Sequence, residues 1–371
     1  MRWTPAGTFV ALAVVALVLA AVLRPLWSPE QAPQRDRSEP LRAAEEFLDT
    51  YVATDGRVVR HDQGGDTVSE GQAYAMLLAA GLRNRERFRT VWWWTRTNLQ
   101  RPDGLLSWHW ADGEVVDPES AADADLDAAR ALLLAAEKFG EPSYLRDARR
   151  LAEAIMANER VSVDGRALVV AGPWGRPAPH VFNPSYFSPR AHALLGAATD
   201  DERWSTSRHL GYELIEQLRG EQGPLPPDWS KVSPEGDAWA VPAPRTYEGV
   251  RYSYDAMRLP LRLAQDCSER GRDLAAGLWP FFRGRRDDPI APAYTLDGRR
   301  MAPGEHPGAV VAAAASAHAA AEEEAAADLL DRAESLQEEH PTYYGGALLA
   351  LGRMALQTSR LGSCSEAEGD A

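Results

Sequence analysis

Beyond residue 40 the chain repeats one pattern about a dozen times: an apolar or half-apolar stretch at helical spacing, closed by a turn residue. The segments run approximately over 40–53, 69–82, 85–99, 123–138, 143–157, 186–198, 203–218, 253–265, 269–283, 307–321, 323–338 and 343–357. In each, apolar residues return every three or four positions, as one face of a helix requires. Breakers stand between them, among them Asn84, Asp103-Gly104, Gly140 with Pro142, Pro184, Gly220 with Gly223, Pro303-Gly304 and Pro341. Strand-like alternation is scarce; the segment 161–170, around Asp164-Gly165, fits a short β-hairpin. Consecutive helices joined by short turns pack as antiparallel pairs. Twelve helices make six pairs, so the expected fold is all-α, a ring of inner helices enclosed by outer ones. The Ala-rich stretch 308–329, with Glu322, Glu323 and Glu324 inside it, reads as closely packed small-residue helices around a solvated acidic turn. The long loops 100–122, 158–185, 219–251 and 284–306 are the expected places for a site.

The body, 41–360, shows no linker-like break and reads as one domain, followed by a polar tail over 361–371. Ahead of it, Arg2 precedes an apolar run from Phe9 to Leu23 closed by Arg24. A positive start and an apolar core are the pattern of an export signal. From Ala6 the run is about 18 residues, at the lower limit for crossing a bilayer, so residues 1–27 fit a cleaved signal and an uncleaved membrane anchor alike. Either exports the body, as a secreted protein or one held at the outer face of the cytoplasmic membrane, and Arg2 keeps the short N-terminus cytoplasmic. The Pro-containing polar stretch 28–40 reads as a linker. Cys267 and Cys364 then lie in an oxidising compartment, where a disulfide and two free thiols are both open. With a net charge of −14 and no basic run, the chain is not expected to bind nucleic acid. A monomer is expected.

The chemistry concentrates in carboxylates. In Gly64-Gly65-Asp66-Thr67-Val68-Ser69-Glu70-Gly71-Gln72-Ala73-Tyr74, Glu70 sits among small and hydrogen-bonding residues where an apolar helix begins. Thr67 with Glu70, and Ser69 with Gln72, read as capping boxes; the flanking glycines, which permit close approach, point instead to a site. Asp123, Asp125 and Asp127 open another helix. A calcium loop would need Gly and Glu where Ala128 and Leu134 stand, so calcium is rejected. Asp127 fits the helix dipole, and Asp125 turns away from Asp123 on a helix. In Tyr252-Ser253-Tyr254-Asp255-Ala256-Met257-Arg258-Leu259-Pro260, Asp255 and Arg258 are spaced to pair on a helix, and a neighbouring guanidinium favours an ionised Asp suited to act as a base. Of the aromatics, Trp92-Trp93-Trp94 belong largely to a core, while Trp108 and Trp110, with Trp174, Trp229 and Trp239, are placed to stack on sugar rings. The scattered histidines give no zinc spacing, and no nucleophile elbow, dinucleotide fingerprint or P-loop occurs. A carboxylate pair needing neither metal nor cofactor is the apparatus of glycoside hydrolysis.

Three ordered motifs, 65–74, Ala122-Asp123-Ala124-Asp125 and Tyr254–Pro260, with Asn183-Pro184-Ser185-Tyr186-Phe187 between them, resemble glycoside hydrolase family 8 over roughly 40–360. The resemblance implies an (α/α)6 barrel and an endo-β-1,4-glucanase-type activity on a β-1,4-linked polysaccharide, with xylanase and chitosanase open within the family. It implies Glu70 as proton donor, Asp255 as base with Arg258 beside it, and Asp123 holding the sugar at the cleavage point. Tyr254, Trp108 and Tyr186 join them as expected substrate contacts. Ala122 and Ala128 depart from the larger residues usual in the family. The expected chemistry is inversion by an acid and a base. The alternative from another class is a non-catalytic glycan-binding or scaffold subunit of exopolysaccharide production.

Overall fold

A computed structural model describes residues 39–362 and 364, apart from 221–222, 245–248 and 286–287. Its helices are α1 (Glu39–Tyr51), α2 (Ser69–Gly81), α3 (Arg85–Asn98), α4 (Ala122–Phe139), α5 (Pro142–Asn158), α6 (Pro189–Thr199) and α7 (Arg203–Gly220). The second half holds α8 (Leu259–Ala264), α9 (Glu269–Ala276), α10 (Trp279–Arg283), α11 (Pro307–Ala319), α12 (Glu323–Glu339) and α13 (Tyr343–Gln357). Six of them close a ring: α2 packs on α4, α4 on α6, α6 on α8, α8 on α11, α11 on α13, and α13 back on α2. Outside it α3, α5, α7, α9 and α12 each back the inner helix they follow or precede. The sixth outer place falls to α1, whose Phe47 ring lies 5.9 Å from that of Tyr343 on α13. This is an (α/α)6 barrel.

Sequence explains which helix goes where. α2 and α11 are buried nearly all round, α2 exposing only Glu70 appreciably, and a helix apolar on every side belongs inside. Outer α5 buries one stripe, Tyr144, Ala148, Leu151, Ala152 and Ile155, and turns its charges outward. Each large apolar side chain so buried contributes about 1.5–3 kcal/mol. The Ala-rich segment packs as closely as its composition suggests. A Cβ on Gly352 of α13 would meet Val311 of α11 at 2.7 Å, while Glu323 and Glu324 remain exposed.

Proline accounts for the main boundary differences. The segment expected over 253–265 is helical only from Leu259, after a 3-10 turn Ala256–Arg258. The segment expected over 269–283 divides into α9 and α10 at Gly277-Leu278, ahead of Pro280, whose ring and missing N–H do not fit a helix interior. Strands are more numerous than expected. The hairpin β4 (Arg160–Val163) and β5 (Arg166–Val169) turns at Asp164 and Gly165, both with positive φ, the geometry of a tight hairpin turn. Two three-stranded sheets formed by the loops join it: β1 (Thr67–Val68), β2 (His109–Ala111) and β3 (Glu114–Asp117), and β6 (His180–Phe182), β7 (Trp229–Val232) and β8 (Ala238–Val241). Strands of two to four residues carry too little alternation to show in a sequence.

Cys267 and Cys364 are joined in a disulfide, tying the end of the α8 segment to the chain beyond α13. The apolar run 6–23 and the expected linker lie outside the described residues. Among the described residues no helix is long and apolar enough to cross a membrane.

Candidate active site

The N-terminal ends of all six inner helices open into one cleft of about 580 Å³. Its lining includes Glu70 from α2, Asp123 from α4, Tyr186 ahead of α6, Asp255 and Arg258 ahead of α8, His306 ahead of α11, and Tyr343 and Tyr344 from α13. A second chamber of about 330 Å³ shares Trp108, Ala121, Tyr186 and Asp255 with the first and adds Trp174 and Trp229. The two form one aromatic-walled groove with carboxylates at its floor.

At the centre lies Arg258, 4% exposed. Its Nη1 donates to Glu70 Oε2 at 2.5 Å and to Asp123 Oδ2 at 2.6 Å. Its Nη2 donates to Asp255 Oδ1 at 2.8 Å and to Ser185 Oγ at 2.9 Å. The i, i+3 pair read from sequence therefore forms, and the same fork also gathers the two carboxylates contributed by α2 and α4. Glu70 and Asp123 share a single nitrogen, so one charge raises the cost of the other. Burial, with these like charges adding to it, pushes Glu70 up to about 7 against the pull of Arg258. Burial also raises Asp123. Asp123 shows the cleft only 3% of its side-chain surface, whereas the Glu70 side chain keeps 20% exposure there.

Asp255 stands differently. Asn183 Nδ2 reaches its Oδ1 at 3.2 Å, and Trp229 Nε1 donates to its Oδ2 at 2.8 Å. With Arg258, three side-chain donors converge on this carboxylate and fix both oxygens as acceptors. Beneath it, Asp228 accepts from the N–H groups of Ser253 and Ala256, at 2.7 and 2.9 Å, and so holds the turn that carries Asp255.

The capping reading of Glu70 fails on geometry. The N-cap of α2 is Val68, without a side-chain cap bond. Thr67 Oγ1 donates instead to Val58 O at 2.7 Å, and Gln72 Oε1 accepts from Val58 N at 2.6 Å. Of the glycines, Gly64 and Gly65 serve a left-handed turn with open space around them. Gly71 is the close-approach glycine, since a Cβ there would lie 2.4 Å from the Tyr343 hydroxyl.

The three Asp of α4 diverge. Asp127, read as a dipole residue, is instead clamped by Arg262 through both oxygens at 2.8 Å each. A buried guanidinium is a stronger partner than the helix end. Arg258–Asp123 and Arg262–Asp127 thus form two rungs, four residues apart on both chains, between inner segments that are not ring neighbours. Asp125 points elsewhere, toward Leu106 and Glu159.

Trp108 and Tyr186 line both chambers; Tyr186 also packs under Arg258, 5.2 Å from its guanidinium carbon. Tyr254 is 47% exposed at the rim. Trp110, expected to stack on sugar, does not face the groove; it packs edge-on to Trp94 at 5.4 Å and beneath Arg57. Two residues apart, Trp108 and Trp110 would share one face of a regular strand. Trp108 lies ahead of β2, however, and the ladder to β3 slips register between His109 and Trp110, a bulge that re-aims side chains. Trp92 and Trp94 are buried and Trp93 is exposed. Sequence reasoning gave no role to Ser185, Asn183, Asp228 or His306, which lie in segments without periodicity; the family-like segment 183–187 was the available signal for two of them. Among the described residues no cluster of three His, Cys, Asp or Glu side chains is arranged to hold a metal.

Comparison with known proteins meets this geometry. The probable endoglucanase of Novacetimonas hansenii is 33% identical over 221 residues, 58% of this chain and 64% of that protein, so the match spans less than two thirds of the relative's length. Among solved structures, the endo-β-1,4-glucanase CMCax of Acetobacter xylinum superposes with a TM-score of 0.72 at 26% identity, over 85% of this chain and 97% of that one. The endoglucanase Cel10 of Klebsiella pneumoniae gives 0.72 at 25% identity, over 85% and 99%. The family model described as glycosyl hydrolases family 8 matches residues 20–358. That span takes in the whole inner ring and every carboxylate of the groove, and by it the chain belongs to glycosyl hydrolase family 8.

Proposed function

We propose that this chain is an inverting endo-β-1,4-glucanase acting on a cellulose-like polymer, with Glu70 as general acid and Asp255 as general base. The observation that carries the reading is the single guanidinium of Arg258 bridging Glu70, Asp123 and Asp255 at the floor of an open aromatic groove. Glu70, pushed up to about 7, keeps a proton near neutral pH for the leaving oxygen. Asp255, surrounded by donors, takes the proton of a water attacking from the opposite face of the sugar ring. Glu70 and Asp255 bind opposite ends of the Arg258 guanidinium, which holds the two carboxyls apart on either side of it; inversion needs room between them for a water. Asp123 holds the sugar at the cleavage point, and Trp108, Tyr186 and Tyr254 carry the neighbouring units, so that binding at remote sugars helps distort the reacting one.

The groove is open at its surface, as cutting within a long chain requires. Relatives bearing the endoglucanase name support the β-glucan substrate. Export fits the disulfide, because such bonds persist in oxidising compartments.

The test is reducing-end release from carboxymethylcellulose, mixed-linkage glucan, xylan and chitosan by the body from about residue 42 onward. Release from a β-1,4-glucan, lost in Glu70→Gln and Asp255→Asn, is the expected result, and NMR of the first product should show the inverted α-anomer. A folded protein that binds glucan but cleaves none of the four polymers is a glycan-binding subunit instead. Release of the β-anomer first would replace inversion by retention.

A further inference from the structure

Two buried carboxyls lie beside the active site without a part in the reaction above. Asp125 projects from α4 on the side away from Asp123, and Glu159 follows the end of α5; neither is exposed. Each has one oxygen matched: Leu106 N donates to Asp125 Oδ1 at 2.9 Å, and Ser120 Oγ to Glu159 Oε1 at 2.6 Å. Asp125 Oδ2 and Glu159 Oε2 receive no protein donor, and the two side chains are within hydrogen-bonding reach of each other. Two carboxylates offer only acceptors, whereas one carboxylic acid and one carboxylate satisfy both oxygens with a single O–H. The other charged groups that bear on the pair are Asp123 and Arg101. Burial pushes Asp125 well up and Glu159 up to about 8.

The pair connects to the groove. The Ser120 carbonyl accepts from Trp174 Nε1 at 3.1 Å. Gly172 is pressed against both, since a Cβ there would lie 2.6 Å from each. The Trp174 ring meets that of Trp229 at 5.9 Å, and Trp229 donates to Asp255. Ser120, Trp174 and Trp229 all line the second chamber.

We propose that Asp125 and Glu159 share one proton that latches Ser120 and Trp174 in place, making both acids positioning residues for the sugar platform of the second chamber. Loss of that proton sets two negative charges against each other in a dry site and slackens the Ser120 hydroxyl, the Trp174 indole and the wall they form. The inference rests on the reading of the groove as a glucan site.

The test uses Glu70→Gln as a parent that binds without cutting, compared with the same protein carrying Glu159→Gln. Glutamine keeps the shape, still accepts from Ser120, and donates to Asp125 at any pH. Calorimetric titration with cellohexaose from pH 6 to 9.5 should show the parent Kd weakening by up to about tenfold between pH 7 and 9, as the latched fraction falls to about a tenth. The Glu159→Gln protein should show a flat profile. Equal weakening in both, or none in either, overturns the proposal. Thermal unfolding gives a readout without sugar. A carboxyl raised in the fold contributes stability that is complete below its unfolded value and is lost as pH rises through its folded one. The parent should therefore lose stability relative to Glu159→Gln between about pH 4.5 and 8 and run level above. Parallel curves would refute the shared proton. Absence of cellohexaose binding at every pH would sink the glucan reading alone, because the unfolding curves still decide the latch.

Discussion

Replacing Arg258 by glutamine keeps two donors and removes the charge that gathers Glu70, Asp123 and Asp255. Its Nη1 bond to Glu70 favours the ionised acid, so its loss must raise the Glu70 pKa, not lower it. A charge-assisted bond of this kind is worth about 1.5–3 kcal/mol, and about 1.4 kcal/mol moves a pKa by one unit. The acid should therefore stay protonated one to two units further, from about 7 toward roughly 8 or 9. Asp123 loses the same partner and takes up a proton more readily, which removes a like charge from Glu70 and favours the lower end of that range. The assay is kcat against pH from 5 to 10 on a soluble β-glucan, with circular dichroism confirming the fold at each pH. Its alkaline limb, which reports the acid in the complex, should move up by at least about one unit. At its optimum kcat should fall on the order of 10²-fold, since Asp255 and Asp123 lose the bonds that orient them. An alkaline limb that stays in place or shifts to lower pH would refute Glu70 as the titrating acid held by Arg258.

Trp229→Phe keeps an aromatic face in the groove but removes the donor to Asp255 Oδ2; kcat should drop about 10- to 100-fold with little change in KM. Asp127→Ala strands the buried Arg262 and should cost about 3–5 kcal/mol in urea unfolding, whereas Asp127→Leu combined with Arg262→Met should come close to neutral. Cys364→Ser opens a bridge between residues 97 apart in sequence. It should lower stability by about 4–5 kcal/mol, seen as a reduced urea midpoint, and leave KM at 25 °C unchanged.

The barrel was readable because its period is long and its pattern repeated. Helices such as α2 and α11 carry enough apolar residues to declare themselves, and pairing them by short turns gives the ring. The carboxylates were readable as motifs, but their grouping was not. Nothing local says that Arg258, beside Asp255 in sequence, also binds Glu70 nearly 190 positions away, for that contact depends on how inner helices face one another across the ring. Trp110 illustrates the opposite difficulty, since alternation alone would put it on the same face as Trp108, and the register slip between His109 and Trp110 has no signal in the sequence. Gln72 looked like a cap because caps are local, yet its side chain holds the distant turn at Val58 and the Thr95 hydroxyl.

The two ionic rungs between α4 and the α8 segment form a gauge of alignment. Asp123 and Asp127 repeat at the interval of Arg258 and Arg262, so a slide of one helical turn would bring Asp127 opposite Arg258 and leave the outer partners with none. The lower rung does not line the groove, yet it measures the same displacement as the upper one and resists it with a bidentate pair in a dry interior. The position of Arg258, which binds the proposed acid and base, is thereby referred to the body of the barrel rather than to the loops above it. Substitutions in the groove walls can change which sugars fit while Arg258, the shared partner of Glu70, Asp123 and Asp255, stays aligned from below.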